Sequence, residues 1–187
     1  MFPSPMQYGQ RYSMLVTYSL MATNVAVYVA LVVVGDPAYS ALAQTGQLFF
    51  AGAYWQVFTA LFVHFDVFHI GFNMIALYYF GRLNEISYSR GEYLAIYFGA
   101  GLLGNFASLF LVPLDVPTGG ASGAIFGLVG SYAARNQNVG NIAIALVYAA
   151  FILLESAGPG VNIFAHLFGI AGGFAIGLLF TRFRAPE

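Results

Sequence analysis

Apolar residues in this chain come in blocks far longer than one face of a soluble helix needs, and most polar residues fall between the blocks. A helix rising about 1.5 Å per residue needs about 20 mainly apolar residues to cross a hydrocarbon layer of about 30 Å. By that rule the pattern predicts spans at 14–34, 58–80, 93–112, 121–134, 139–154 and 163–180, the fourth and fifth of them short. The expected fold is an all-α membrane protein, a bundle of six transmembrane helices forming one domain over residues 1–187.

Composition narrows the class further. The chain is 60% apolar, 7% charged and free of cysteine, which excludes a disulfide-built secreted domain and an ordinary soluble core. A net charge of −1 offers nothing to nucleic acid. All basic residues are arginines: Arg11, Arg82, Arg90, Arg135, Arg182 and Arg184. With six spans they all fall on one side, while the opposite loops at 35–57, 113–120 and 155–162 contain none. The positive-inside rule then puts both termini in the cytoplasm, in a multi-pass protein of the cell (plasma) membrane. Ala41-Leu42-Ala43 resembles a signal-peptide cleavage site, but the apolar run before it is too long, and its removal would leave five spans.

Polar residues inside such spans are costly and are read as functional. Ser122, in Gly119-Gly120-Ala121-Ser122-Gly123, and His166, in Asn162-Ile163-Phe164-Ala165-His166, each open an apolar stretch. Measured along ideal helices from the cytoplasmic arginines, Ser122 lies about 20 Å from Arg135, His69 about 20 Å from Arg82, and His166 about 24 Å from Arg182. The three share one depth, in the outer part of the bilayer. The fourth span is too short to reach the outer surface, so the segment 113–120 is expected to dip inward beside a water-filled pocket open to the non-cytoplasmic side.

Glycines indicate which helices touch. Gly119, Gly123 and Gly127 recur every fourth residue, as do Gly169, Gly173 and Gly177, and such stripes let backbones approach closely in lipid. His166 shares a face with Gly169 and Gly173, and Ser122 borders the other stripe. Alone the glycines mean generic packing; with a serine and a histidine at one depth they mark a site. Gly99, Gly101 and Gly104 with Asn105 read as packing features. In the second span His69 and Asn73 project from one side, as donors that could stabilise an oxyanion together with the Ser122 backbone N–H. His64 points elsewhere if the helix has already begun there, and its expected role is to tie the first loop to the start of the helix.

These residues resemble the rhomboid intramembrane serine proteases. The resemblance is carried by a Trp-bearing first loop, His64-x4-His69-x3-Asn73, Gly120-Ala121-Ser122-Gly123 and Ala165-His166-x2-Gly169-x3-Gly173. It implies a six-helix core, Ser122 as nucleophile, His166 as general base and then acid, and His69, Asn73 and the Ser122 N–H as oxyanion stabilisers. It also implies packing at the site by Gly120, Gly123, Phe126, Gly169 and Gly173. The chain departs from the family twice. Trp55-Gln56 stands where Trp-Arg is common, which is expected to weaken anchoring of the first loop. Phe126 replaces a tyrosine that often packs beneath the histidine, keeping the stacking and losing a hydroxyl.

No carboxylate is placed by the sequence to make a third member, so a Ser-His dyad acting through an acyl-enzyme is expected, with neither cofactor nor metal. Substrates would be transmembrane proteins in the lipid bilayer, cut where a helix unwinds easily, because a regular helix shields its carbonyls. They would enter laterally. Phe49, Phe50, Tyr54 and Trp55 in the first loop favour the membrane interface, a property compatible with gating or with anchoring alone. Three other readings compete. A zinc hydrolase could use His64, Asp66, His69 and His166, but no His-Glu-x-x-His is present. A proton-coupled transporter lacks its usual inverted repeat of broken helices. A non-catalytic, client-binding membrane chaperone of the same fold is the strongest rival, and retention of both Ser122 and His166 speaks against it. Substrate identity and oligomeric state are not written in the sequence.

Overall fold

The computed structural model describes residues 14–135 and 162–183, together with Ala143 and Val147. The span expected at 139–154 lies outside that set apart from those two residues. The described helices are α1 (Leu15–Val34), α2 (Asp36–Leu42), α3 (Gly46–Phe50), α4 (Gln56–Thr59, continued by a 3-10 turn at Ala60–Phe62), α5 (Val67–Ser87), α6 (Arg90–Ser108), α7 (Ser122–Arg135) and α8 (Ile163–Arg182). Among the described residues there is no strand, only an antiparallel bridge between Gln44 and Thr118.

The helix boundaries have local causes. α1 ends at Gly35, whose φ of 78° is left-handed, and Asp36-Pro37 starts the next helix. Ser89 and Glu92 form a capping box that starts α6 at Arg90, ahead of the expected residue 93. α6 then ends at Ser108, short of residue 112, as Leu109 and Phe110 tighten into bonds to the carbonyls three residues back. The largest difference from expectation lies at 58–80, which is not one helix. The segment Gln56–Phe62 meets α5 at an 87° bend. Val63 is extended, and the Asp66 carboxylate accepts the N–H groups of Phe68 and His69, both at 2.8 Å, so a new helix starts at Val67.

α5 also runs past Phe80 to Ser87, because its polar end is occupied. Asn84 Nδ2 donates to the carbonyls of Phe80 and Leu128, and its Oδ1 accepts from Ser131 Oγ at 2.6 Å. Glu85 accepts the N–H groups of Val16 and Thr17 and the hydroxyl of Thr17, so a carboxylate from α5 caps the start of α1. By length and hydropathy α1 and α8 are each able to cross a membrane, and the bent pair of α4 with its 3-10 turn and α5 makes a third if taken as one span.

α7 is the central element. Every residue from Gly123 to Tyr132 is buried, among α5, α6 and α8. α7 and α8 meet backbone to backbone. A Cβ on Gly169 would strike the Gly123 carbonyl, one on Gly173 the Gly127 backbone, and one on Gly130 the Ile170 carbonyl. α6 joins through Gly104, where a Cβ would lie 2.5 Å from the Ala165 carbonyl oxygen. The expected stripe is shifted on α7: Gly119 lies before the helix and faces Val63, and Gly130 takes a place in the seam.

Candidate active site

Ser122, His69 and His166 each sit in the first turn of a helix, on α7, α5 and α8 respectively. Packing then brings the serine and histidine together. His166 Nε2 lies 2.7 Å from Ser122 Oγ, a hydrogen bond in the range a proton transfer requires. The His166 ring is 1% exposed and stacks on Phe126, with centroids 4.5 Å apart and planes 20° from parallel. Stacking fixes the ring plane, and the glycine seam fixes the separation of the two backbones. His166 Nδ1 is buried and has no hydrogen-bond partner among the described residues. Asp66, the carboxylate nearest in sequence to His64 and His69, caps α5 instead.

Beside the pair the backbone at Gly120 passes close to His69. Gly120 has φ +129°, and a Cβ there would lie 2.8 Å from His69 Nε2 and 3.5 Å from Ser122 Oγ. Only glycine suits that backbone and leaves that space. The Gly120 backbone therefore has His69 Nε2 and Ser122 Oγ beside it, next to the Ser122 N–H, a first-turn donor without an intrahelical acceptor. Asn73 joins through His69: it is buried, and its Nδ2 donates to the His69 carbonyl at 2.8 Å, leaving the second N–H of that amide.

His64 lies outside α5, so the expectation of a diverging helical residue does not apply. Its ring sits 4.9 Å from that of His69. Nδ1 is 3.2 Å from the Phe62 carbonyl and Nε2 receives the Ala121 N–H at 3.5 Å, so His64 bonds the bend to the residue before the serine. The adjacent Gly120 N–H donates to the Ala60 carbonyl at 2.8 Å. Among the described residues, no group of three or more His, Asp or Glu side chains is placed to hold a metal ion.

The first and third loops are tied down by buried amide side chains. Gln44 and Thr118 exchange two backbone hydrogen bonds, of 2.9 and 2.8 Å, joining the third loop to the first. Gln44 Nε2 donates to the Asn105 carbonyl and Asn105 Nδ2 to the Val57 carbonyl, both at 2.9 Å. Gln56, expected to loosen the first loop, does the reverse. It is 1% exposed, accepts the Thr45 N–H at 3.2 Å and donates to the Ser40 carbonyl at 3.0 Å. An uncharged amide, able both to give and to accept, suits two backbone partners of opposite kind. Trp55 donates to the Ala41 carbonyl at 2.9 Å while its ring stays more than half exposed.

The family model described as "Rhomboid domain" matches residues 51–183. YdcA of Bacillus subtilis, named provisionally as a rhomboid protease, is 33% identical over 135 residues, which are 68% of each chain. The rhomboid protease GluP of the same organism is 34% identical over 139 residues, 71% of this chain and 27% of GluP. Rhomboid-like protease 2 of Toxoplasma gondii is 30% identical over 177 residues, 83% of this chain and 62% of that protein.

Proposed function

The chain belongs to the rhomboid family, and on that premise we propose that it is an intramembrane serine endopeptidase that cuts transmembrane proteins through an acyl-enzyme on Ser122. The observation that carries the proposal is the 2.7 Å contact between Ser122 Oγ and His166 Nε2, with His69 close by at Gly120. Ser122 Oγ adds to the scissile carbonyl carbon as His166 Nε2 takes its proton. The resulting oxyanion is met by the Ser122 N–H, His69 and Asn73. The carbon–nitrogen bond then breaks as His166 returns the proton to the leaving amine, and water repeats the sequence to free the acid. Phe126 orients the imidazole in place of a third catalytic side chain.

The chain is an integral membrane protein by family and by its apolar helices. Within this proposal it is one six-span domain, with 139–154 as the fifth span, both termini cytoplasmic and the site opening toward the other face. The absence of cysteine makes that topology testable with single-cysteine variants. Asp115→Cys, at an exposed position of the loop 113–120, should react with an impermeant maleimide in intact cells, and Glu187→Cys only after the cells are opened.

The chemistry is tested by labelling the detergent-solubilised protein with a fluorophosphonate probe. The parent should label, and Ser122→Ala and His166→Ala should label at least about a thousandfold more slowly. A folded parent that fails to label, where a serine hydrolase control reacts, would leave client binding without cleavage as the better reading.

A further inference from the structure

The first turn of α8 holds two buried hydrogen-bond donors that nothing among the described residues satisfies. One is His166 Nδ1, which carries the ring proton whenever Nε2 is free to accept from Ser122 Oγ. The other is Asn162 Nδ2. Their residues are 1% and 7% exposed. Asn162 caps α8: its Oδ1 accepts the Ala165 N–H at 3.1 Å, which holds the side chain against the helix end. The His166 N–H donates to the Asn162 carbonyl at 3.4 Å, so the two residues stand one turn apart at the start of the helix. Buried donors are almost always paired, and two within one turn, with no acceptor among the described residues, call for a bound water.

We propose that Asn162 is a positioning residue for the dyad, its Nδ2–H and the His166 Nδ1–H converging on one shared acceptor, a water molecule. That water stands where an acid would stand in a triad. A single oxygen has lone pairs for both donors. Held so, the imidazole keeps its proton on Nδ1 and presents the Nε2 lone pair to Ser122. When Nε2 takes the serine proton, the charge on the ring is met at Nδ1 by an oxygen already in place. The helix cap thus has two functions, with Oδ1 starting α8 and Nδ2 fixing the tautomer. The inference rests on Ser122 and His166 being the reacting pair.

Two variants separate these functions, because serine and aspartate both remain good caps. Asn162→Ser keeps the cap and removes Nδ2, so its fluorophosphonate labelling should slow about tenfold while the melting temperature holds. Asn162→Asp keeps the cap and puts a carboxylate oxygen within reach of Nδ1–H, directly or through the water. Its labelling should return to within about twofold of the parent, and the acid limb of its pH–rate profile should move to higher pH. A serine variant that labels like the parent overturns the proposal, and so does an aspartate variant no faster than the serine one. Histidine ¹⁵N spectra of the unaltered protein give a test independent of any variant's folding: the neutral His166 ring should carry its proton on Nδ1, and a proton on Nε2 would refute the assignment. If the parent does not label at all, the protease reading has failed. A labelling parent with indifferent Asn162 variants means that only the positioning role has failed.

Discussion

α8 and α1 are each 20 residues long and both are strongly apolar, yet they are attached to the rest of the molecule in opposite ways. α8 meets α7 through main chain on main chain, with Gly169 and Gly173 against Gly123 and Gly127 and no side chain between them. α1 meets α5 through side chains. Glu85 holds the first turn of α1, Tyr18 and Tyr78 pack with ring centroids 6.4 Å apart, and Val25, Val29, Val32 and Val33 face outward from the protein. A contact between backbones has no rotamers to relax, so it fixes a separation closely and tolerates nothing added. A side-chain tether holds an element in place and tolerates small shifts. The reacting pair sits on the first kind of contact.

Breaking the seam should therefore have the largest effect. Gly173→Ala puts a methyl group into the Gly127 backbone, with no flexible neighbour to give way, and should cost about 3 kcal/mol and abolish fluorophosphonate labelling in whatever protein still folds. Thermal unfolding in detergent together with labelling measures both. Glu85→Gln attacks the tether instead. It weakens charge-assisted bonds to two N–H groups and a hydroxyl, so stability should fall by about 2 kcal/mol while the folded fraction labels within about twofold of the parent. Thr17→Val removes only the hydroxyl that donates to Glu85 at 2.6 Å and should cost about 1 kcal/mol, again without slowing labelling. If either α1 variant slowed the chemistry as Gly173→Ala does, the contrast between seam and tether would be wrong. Gly71→Ala should do least. A Cβ there meets nothing within 4 Å, so the gain in helix propensity should leave the protein as stable or up to about 1 kcal/mol more so.

The seam was legible in the sequence because small residues at every fourth position are a local, periodic signal, and Ser122 and His166 because reactive groups are rare in such apolar surroundings. Periodicity does not mark where a helix begins, so the expected stripe runs back to Gly119. Gly130, which faces the Ile170 carbonyl, falls three residues after Gly127 and so off the four-residue period. The bend at 63–66 was readable in part: Asp66 directly before an apolar run is a helix-start signal, but the apolar residues on either side of it hid the break. Asn162 could have been read as a cap in the same way, though not its unsatisfied amide, which emerges only once burial is known. Gln44, Gln56 and Asn105 left no signal of their partners in the sequence. Each acts on the backbone of a segment distant in sequence, and side-chain-to-backbone bonds of that kind have no period and no preferred partner residue.

The three helices that begin at the site start differently, and their starts set its electrical character. α5 begins under the charged carboxylate of Asp66, α8 under the neutral amide of Asn162, and α7 directly at the serine. The partial positive charge of a helix start is thus offset on α5 and left standing on α7 and α8, in a medium of low dielectric constant. Peptide hydrolysis leaves an anion there in place of a neutral amide, and the corner should retain it. Product inhibition follows: apolar peptides ending in a free carboxylate should slow labelling of Ser122, and the same peptides with amidated ends should not.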